Sequence, residues 1–283
     1  MTYLITGASG MLGTDLQRVL AGRSVTALAR TDLDITDTDA VNSAIRGHDV
    51  VINCAAYTRV DDAEEHEDAA FAINALGAAH LARASAAQGA RLVQLSTDYV
   101  FDGTATTPYP EDAERHPVSA YGRTKAEGER LALELNPAGT LIVRTAWLYG
   151  AHGPNFAKTM VRLAGEHDTV SVVDNQRGQP TWTMDVARQI ALLLDHELPA
   201  GVYHATSSGT ASWYEFAKEV FSLAGHAPDR VKPIPSAQFV RPAPRPAYSV
   251  LGHEKWQRFG LDPIRDWRQG LAAAAQDGVL KRT

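Results

Sequence analysis

The 283-residue chain predicts an α/β fold, a doubly wound parallel sheet carrying a smaller, loop-rich α/β lobe. Three observations predict it. A glycine-rich turn, Gly7-Ala8-Ser9-Gly10-Met11-Leu12-Gly13, joins an apolar strand directly to a helix. Short apolar strands then alternate with amphipathic helices through Gly150, the rhythm of buried parallel strands joined by crossover helices. Past Gly150 that rhythm breaks into segments dense in Pro, Gly and polar groups, such as "DNQRGQPTW" and "VRPAPRPAYSV".

The elements follow in order. "TYLIT" is the first strand, and Met11 to Leu20 carries helical periodicity. "SVTALA" (Ser24–Ala29) is the second strand, and Asp37 to Arg46 a helix capped at Thr36. "DVVINCAA" (Asp49–Ala56) is the third strand, followed by an Ala-rich helix over Ala69 to Ala87 that ends at Gly89. "RLVQLST" (Arg91–Thr97) is the fourth. A long loop then leads to a helix holding Tyr121 and Lys125, and "GTLIVRTAW" (Gly139–Trp147) is the fifth strand. Residues 1–150 read as a dinucleotide-binding domain, to which 183–204 return. Residues 151–182 and 205–283 read mainly as a substrate lobe over the carboxyl ends of the strands, the edge where open α/β sheets bind ligands.

Composition narrows the function classes. A net charge of −6 argues against a nucleic-acid partner. No apolar run approaches the roughly 20 residues that span a bilayer, and no basic or apolar leader precedes the glycine turn, so neither a membrane anchor nor a signal peptide is expected. Cys54 is the only cysteine, which rules out an intramolecular disulfide and suits a cytoplasmic home. The scattered histidines form no metal-ligating motif, so no metal site is predicted. The acidic run Asp61 to Asp68 reads as the solvated start of a helix, with a weak divalent-cation site at a subunit contact as the lesser alternative. The chain is expected to be a monomer or a homodimer.

The glycine turn points to a dinucleotide. Gly7, Gly10 and Gly13 let the backbone approach a pyrophosphate, and the helix that opens through Met11 and Leu12 offers unpaired N–H groups and positive potential. A tight turn without a ligand is the plain alternative. The tip of the second strand, where an acidic residue would select NAD, reads Ala29-Arg30-Thr31. Arg30 can face a 2′-phosphate, which tilts the expectation to NADPH and leaves NADH open, since Asp32 and Asp34 are close. Asp34-Ile35 could instead contact the adenine. Ala55-Ala56-Tyr57 at the end of the third strand suit a cofactor lying across it. Tyr121 and Lys125 stand at i and i+4 on one helical face, a pair that chance alone also produces.

Together the glycine turn, "NCAAYTRVDDAE" (Asn53–Glu64), "STDYVFDG" (Ser96–Gly103) and "YGRTK" (Tyr121–Lys125) resemble the extended short-chain dehydrogenase/reductases. Within them the chain is most similar to the dTDP-4-dehydrorhamnose reductases. The similarity continues in "RTAWLYG" (Arg144–Gly150), "DNQRGQPTW" (Asp174–Trp182), "GVYHATSSGTASWYEFA" and "RPAYSVL", nearly the whole chain. The resemblance implies a dTDP-sugar substrate whose C4 carbonyl is reduced. Tyr121 would be the general acid, and Lys125 would lower its pKa and hold the nicotinamide ribose. Thr97 would donate a hydrogen bond to the same carbonyl oxygen, and Asp98 and Trp147 would touch the sugar. Asp98 as a loop cap and Trp147 as core remain the plainer readings. Arg241 and Arg245 are candidates for the diphosphate, since guanidinium binds phosphate oxygens bidentately; His204 and Trp182 are weaker ones. Many relatives carry serine where this chain has Ala146. A related dehydratase would need an acid after Asp98, where this chain has Tyr99, so reduction is favoured over dehydration or epimerisation. A non-catalytic dinucleotide-binding subunit, like the regulatory subunit of methionine adenosyltransferase, is the alternative from another class.

Overall fold

The computed structural model describes residues 1–281; the last two residues of the predicted 205–283 segment lie outside them. Five strands open the chain: β1 (Thr2–Thr6), β2 (Ser24–Leu28), β3 (Val50–Asn53), β4 (Arg91–Thr97) and β5 (Thr140–Thr145). Short strands β6 (Leu148–Tyr149), β7 (Val170–Val173), β8 (Arg177–Gly178) and β9 (Thr181–Trp182) follow, and β10 (Gly201–His204) returns to the main sheet. That sheet has the order β10-β5-β4-β3-β1-β2 with every pair parallel. The chain turns one way from β1 to β2 and crosses back to β3. The switch point therefore falls at the carboxyl ends of β1 and β3, as in other Rossmann-type sheets.

Side chains alternate between the two faces with the strand period of two. Tyr3, Ile5, Val50, Ile52, Val93 and Leu95 face α1 (Met11–Val19) through Leu12 and Leu16. Leu4, Val51, Leu92 and Ile142 face the opposite layer, which includes α2 (Thr38–Ala44). That layer is completed by α3 (Glu67–Phe71), α4 (Ala78–Ala87) and α5 (Ala120–Leu135). A second core gathers α6 (Phe156–Glu166), β7 and β9. The first layer is closed by α7 (Thr183–Asp195), which packs beside α1 through Val186, Ile190 and Leu194. Beyond β10, the strands β11 (Ala211–Ser212) and β12 (Val231–Ile234) and the helix α8 (Trp213–Leu223) join the second core. Of the last two helices, α9 (Glu254–Arg258) sends Trp256 into the main-sheet core, and α10 (Trp267–Gln276) packs on the second.

Several boundaries, and the setting of the acidic run, differ from the sequence reading. The cap of α2 is Asp37, whose carboxylate accepts the N–H groups of Asp39 and Ala40; Thr36 is instead tied to Asp34 through its N–H and hydroxyl. β3 stops at Asn53 because the Asn53 amide oxygen accepts both the Thr6 hydroxyl and the Ala55 N–H, turning the chain out of the ladder. The Ala-rich helix starts at Glu67 and is interrupted by a π-helical stretch, Ala72–Gly77. The acidic run is only partly solvated. Glu64 accepts the Ala120 N–H at the start of α5, Glu67 binds the Arg123 guanidinium at 2.9 and 2.7 Å, and Asp61 binds arginines of the second lobe. These carboxylates meet the unpaired N–H end of α5 and nearby cations, which the linear pattern did not place beside them.

The π-helical stretch lets α5 come unusually close. A Cβ on Gly128 would collide with the Asn74 carbonyl oxygen. Gly128→Ala is therefore expected to lower the unfolding free energy by roughly 1–3 kcal/mol, measured by urea denaturation. A variant as stable as the parent would mean that this approach is soft.

Candidate active site

The cleft lies at the switch point and has a volume of ≈ 620 Å³. Its floor is the glycine turn. Gly7 has φ +63°, and a Cβ there would lie 2.6 Å from the Ala55 backbone nitrogen. A Cβ on Gly13 would lie 2.6 Å from the Gly7 carbonyl oxygen. The first position needs glycine for conformation and for space, the third for space alone. Gly10 caps α1 without a side chain, and Met11 and Leu12 line the same wall.

The second wall carries Arg30, Asp34 and Ile35, all lining the cleft. Thr36 N–H and hydroxyl hold the Asp34 carboxyl below its usual range. Ile35 is buried against Gly77, where a Cβ would lie 2.6 Å from its terminal carbon. Ala55 and Ala56 line the cleft at the end of β3. Tyr57 does not; its N–H and carbonyl are both bound by the Asn74 amide, which also donates to Thr124 on α5. Asn74 thus fixes the loop after β3 to the helix that carries Tyr121. The sequence reading missed it, and also Thr58, Ala69, Ala72 and Ile73, which complete the wall. A π-helical turn at a ligand-sized cleft is a recurrent association, but its register cannot be read from an Ala-rich run.

Tyr121 and Lys125 line this same cleft. Ser119 caps α5 by accepting the Gly122 N–H, which places both side chains on the first two turns. The Lys125 ammonium is buried and donates to the Leu95 carbonyl at 2.6 Å. Burial pushes its pKa down to about 8, against the pull of Glu129. The expectation that Lys125 draws Tyr121 toward phenolate is not met. Burial pushes the Tyr121 phenol up to about 12, only partly opposed by hydrogen bonding to Thr97, because the ammonium is turned to the strand carbonyl. Tyr121 therefore stays a protonated phenol at neutral pH, the form a proton donor requires. Cys54 also lines the cleft, with its thiol pushed up to about 12 by burial, so it is not a nucleophile.

Thr97 ends β4, and Asp98 follows it. The Thr97 hydroxyl donates to Asp98 Oδ1 at 3.0 Å and accepts the Tyr99 N–H at 3.2 Å. Asp98 is 2% exposed, and its Oδ2 has no hydrogen-bond partner among the described residues. Burial raises its pKa to about 6, against hydrogen bonds from Ser249 and Thr97. Tyr99 stands edge-on to Tyr121, ring centroids 5.6 Å apart. Trp147 has φ +46°, strained for a non-glycine residue, and stacks on Trp213 of α8 at 3.5 Å; a Cβ on Gly178 would intrude on its ring. Arg241 and Arg245 are outside the cleft and both pair with Asp61. His204 and Trp182 are buried in the protein and line no part of the cleft. His204 bonds the Gly252 carbonyl and the Arg144 guanidinium, and burial keeps it neutral. Their polar or aromatic character suggested ligands, whereas packing had already consumed it.

The native Asp98 carboxyl binds its proton more tightly than the unfolded one. Stability is therefore drained as pH rises from about 4 through about 6, and the penalty persists above. Asp98→Asn removes it. Its gain in unfolding free energy is expected to be near zero at about pH 4 and roughly 1–3 kcal/mol at about pH 7. Urea denaturation at both pH values checks this, and an equal effect at the two would contradict it.

Residues 1–279 match the family model described as RmlD substrate binding domain. A dTDP-4-dehydrorhamnose reductase of Streptomyces griseus is 52% identical, the match covering 95% of this chain and 91% of that protein. A dTDP-4-keto-6-deoxy-D-glucose reductase of Streptomyces niveus is 50% identical, covering 96% of each. The crystal structure of a Bacillus anthracis dTDP-4-dehydrorhamnose reductase in complex with NADP superposes with a TM-score of 0.94 at 39% identity, over 98% of this chain and 100% of that one. A family-model match over residues 1–279, almost the full length, establishes that the chain belongs to the RmlD substrate-binding-domain family.

Proposed function

We propose that this chain is an oxidoreductase that uses NADPH to reduce the C4 keto group of dTDP-4-dehydro-β-L-rhamnose, or of a closely related dTDP-4-keto-6-deoxysugar, to the alcohol. The observation that carries the reading is that Tyr121 and Lys125 open into the cleft floored by the glycine turn. The names of the relatives at 52% and 50% identity support the reaction class, and the NADP complex of the neighbour supports the cofactor. The two relatives are named for different keto sugars, which is why the substrate is given as a class with its first member.

The residues present fit a dinucleotide. The space left by Gly7 and Gly13 and the open N-terminus of α1 suit a pyrophosphate. Arg30, exposed at the rim, suits a 2′-phosphate. Asp34 and Ile35 would flank the adenine, and Ala55 and Ala56 would let the cofactor pass over the end of β3. The reduced nicotinamide supplies the hydride when bound. Lys125, which lines the same cleft, would hold the ribose. Tyr121, held as a phenol, gives its proton to the carbonyl oxygen as negative charge develops there. Thr97 donates to the same oxygen once its hydroxyl turns from Asp98. Asp98 and Trp147 would orient the sugar. Tyr99 stands directly after Asp98, where expulsion of the C6 hydroxyl would call for a carboxylic acid, so the reading favours reduction over dehydration. We read residues 1–150 with 183–204 as the cofactor domain and the remainder mainly as the substrate lobe.

The test is loss of nicotinamide absorbance when the keto sugar nucleotide is supplied with NADPH. Tyr121→Phe is expected to reduce kcat/KM by about 10²–10⁴ while NADPH affinity stays within about threefold. Full turnover by that variant would defeat the assignment. Arg30→Ala is expected to raise KM for NADPH by roughly tenfold and leave KM for NADH nearly unchanged, measured side by side. An equal change for both would place Arg30 away from the 2′-phosphate.

A further inference from the structure

Asp61 follows β3 and reaches across to a segment 180 residues later in the chain. Its carboxylate accepts Arg241 Nε at 2.9 Å and Nη2 at 2.5 Å and the Ala243 N–H at 3.2 Å, and forms an ion pair with Arg245 Nη2 at 2.9 Å. Two guanidinium groups and a backbone N–H converging on one pair of oxygens form the donor set of an oxyanion receptor. The receptor is not matched in charge, since one carboxylate faces two cations. Nor is it sealed: the Arg241 side chain is 47% exposed and that of Asp61 23%. The segment is loosely packed where it approaches the receptor, with Phe239 55% and Val240 85% exposed. It also touches the reaction site, because the Arg245 guanidinium lies 6.0 Å over the Tyr99 ring and Tyr99 stands edge-on to Tyr121.

We propose that the Arg241–Ala243–Arg245 cradle receives the diphosphate of the nucleotide sugar, and that Asp61 is its built-in competitor, occupying the cradle until the diphosphate displaces it. The ligand class rests on the function proposed above; the competition is a property of this chain's own residues. A diphosphate carries more charge and more acceptor oxygens than one carboxylate, so it satisfies both guanidinium groups where Asp61 leaves an excess. Displacement also frees Arg245 to shift against Tyr99, which couples occupancy of the cradle to the surroundings of Tyr121. A permanent staple between the two parts of the chain is the competing account, and it makes the opposite prediction for removal of the acid.

Calorimetric titration of the full chain with dTDP and with thymidine separates them. Asp61→Asn is expected to bind dTDP about three- to tenfold tighter than the parent and thymidine with the same affinity, since only the phosphates compete with the carboxylate. Arg241→Ala is expected to bind dTDP at least about tenfold more weakly, again with thymidine unchanged. NADPH binding by each variant reports that the glycine-turn cleft is intact. An Asp61→Asn chain that binds dTDP no tighter than the parent, or gains equally for thymidine, overturns the competition. Should that variant fail to hold NADPH, Arg241→Ala decides, and an unchanged dTDP affinity overturns the cradle. A parent chain that binds no dTDP removes this inference and the proposed function together, whereas a parent that turns over the keto sugar with Asp61→Asn unaltered removes only the inference.

Discussion

The contact on which the site depends is the one between the ends of β1 and β3. Gly7 lies against the Ala55 backbone with no room for a single side-chain atom. Parallel pairing of Thr6 with Asn53 brings these ends level, and the Asn53 amide then turns both chains away from the sheet. A cleft opens there because the two exits diverge. Everything that lines it, from Met11 on one side to Tyr121 on the other, is placed by elements that leave the sheet at this edge.

The helix that carries Tyr121 is held in part by close backbone approach. Gly122 faces the Tyr99 carbonyl and Gly128 faces Asn74, each too near for a Cβ. Asn74 bonds the loop after β3 and Thr124 of α5 at once. Glu64 and Glu67 secure the start of α5 from outside. The position of Tyr121 relative to the glycine-turn cleft is thus fixed from several sides, which suits the proton-donating role proposed for it.

Charge within the site follows burial. Asp98 and Tyr121 are pushed toward their neutral forms, and Lys125 is pushed down to about 8, each chiefly by loss of water. Below Lys125 on the same helix, Glu129 is fully buried yet stays ionised, because Arg144 binds it at 2.9 and 2.7 Å and Arg115 at 3.2 Å. A buried carboxylate so compensated keeps a fixed negative charge near the lysine, whose own partner is a neutral carbonyl.

The order of strands and helices through β5, the glycine turn and the spacing of Tyr121 from Lys125 were legible in the sequence, because each is a local pattern: alternation, an i+4 step, a glycine spacing. The family motifs placed Thr97, Asp98 and Trp147 at strand ends for the same reason. What lay beyond the sequence were quantities that arise only when distant segments meet. The π-helical register of Ala72–Gly77 answers to the approach of α5. The raised pKa of Tyr121 comes from the packing that surrounds it, and helical spacing alone pointed the other way. The pairing of Asp61 with Arg241 and Arg245 joins residues that no local pattern relates. Periodicity is a property of neighbours along the chain, whereas desolvation and charge pairing belong to neighbours in space, and only the folded structure brings those together.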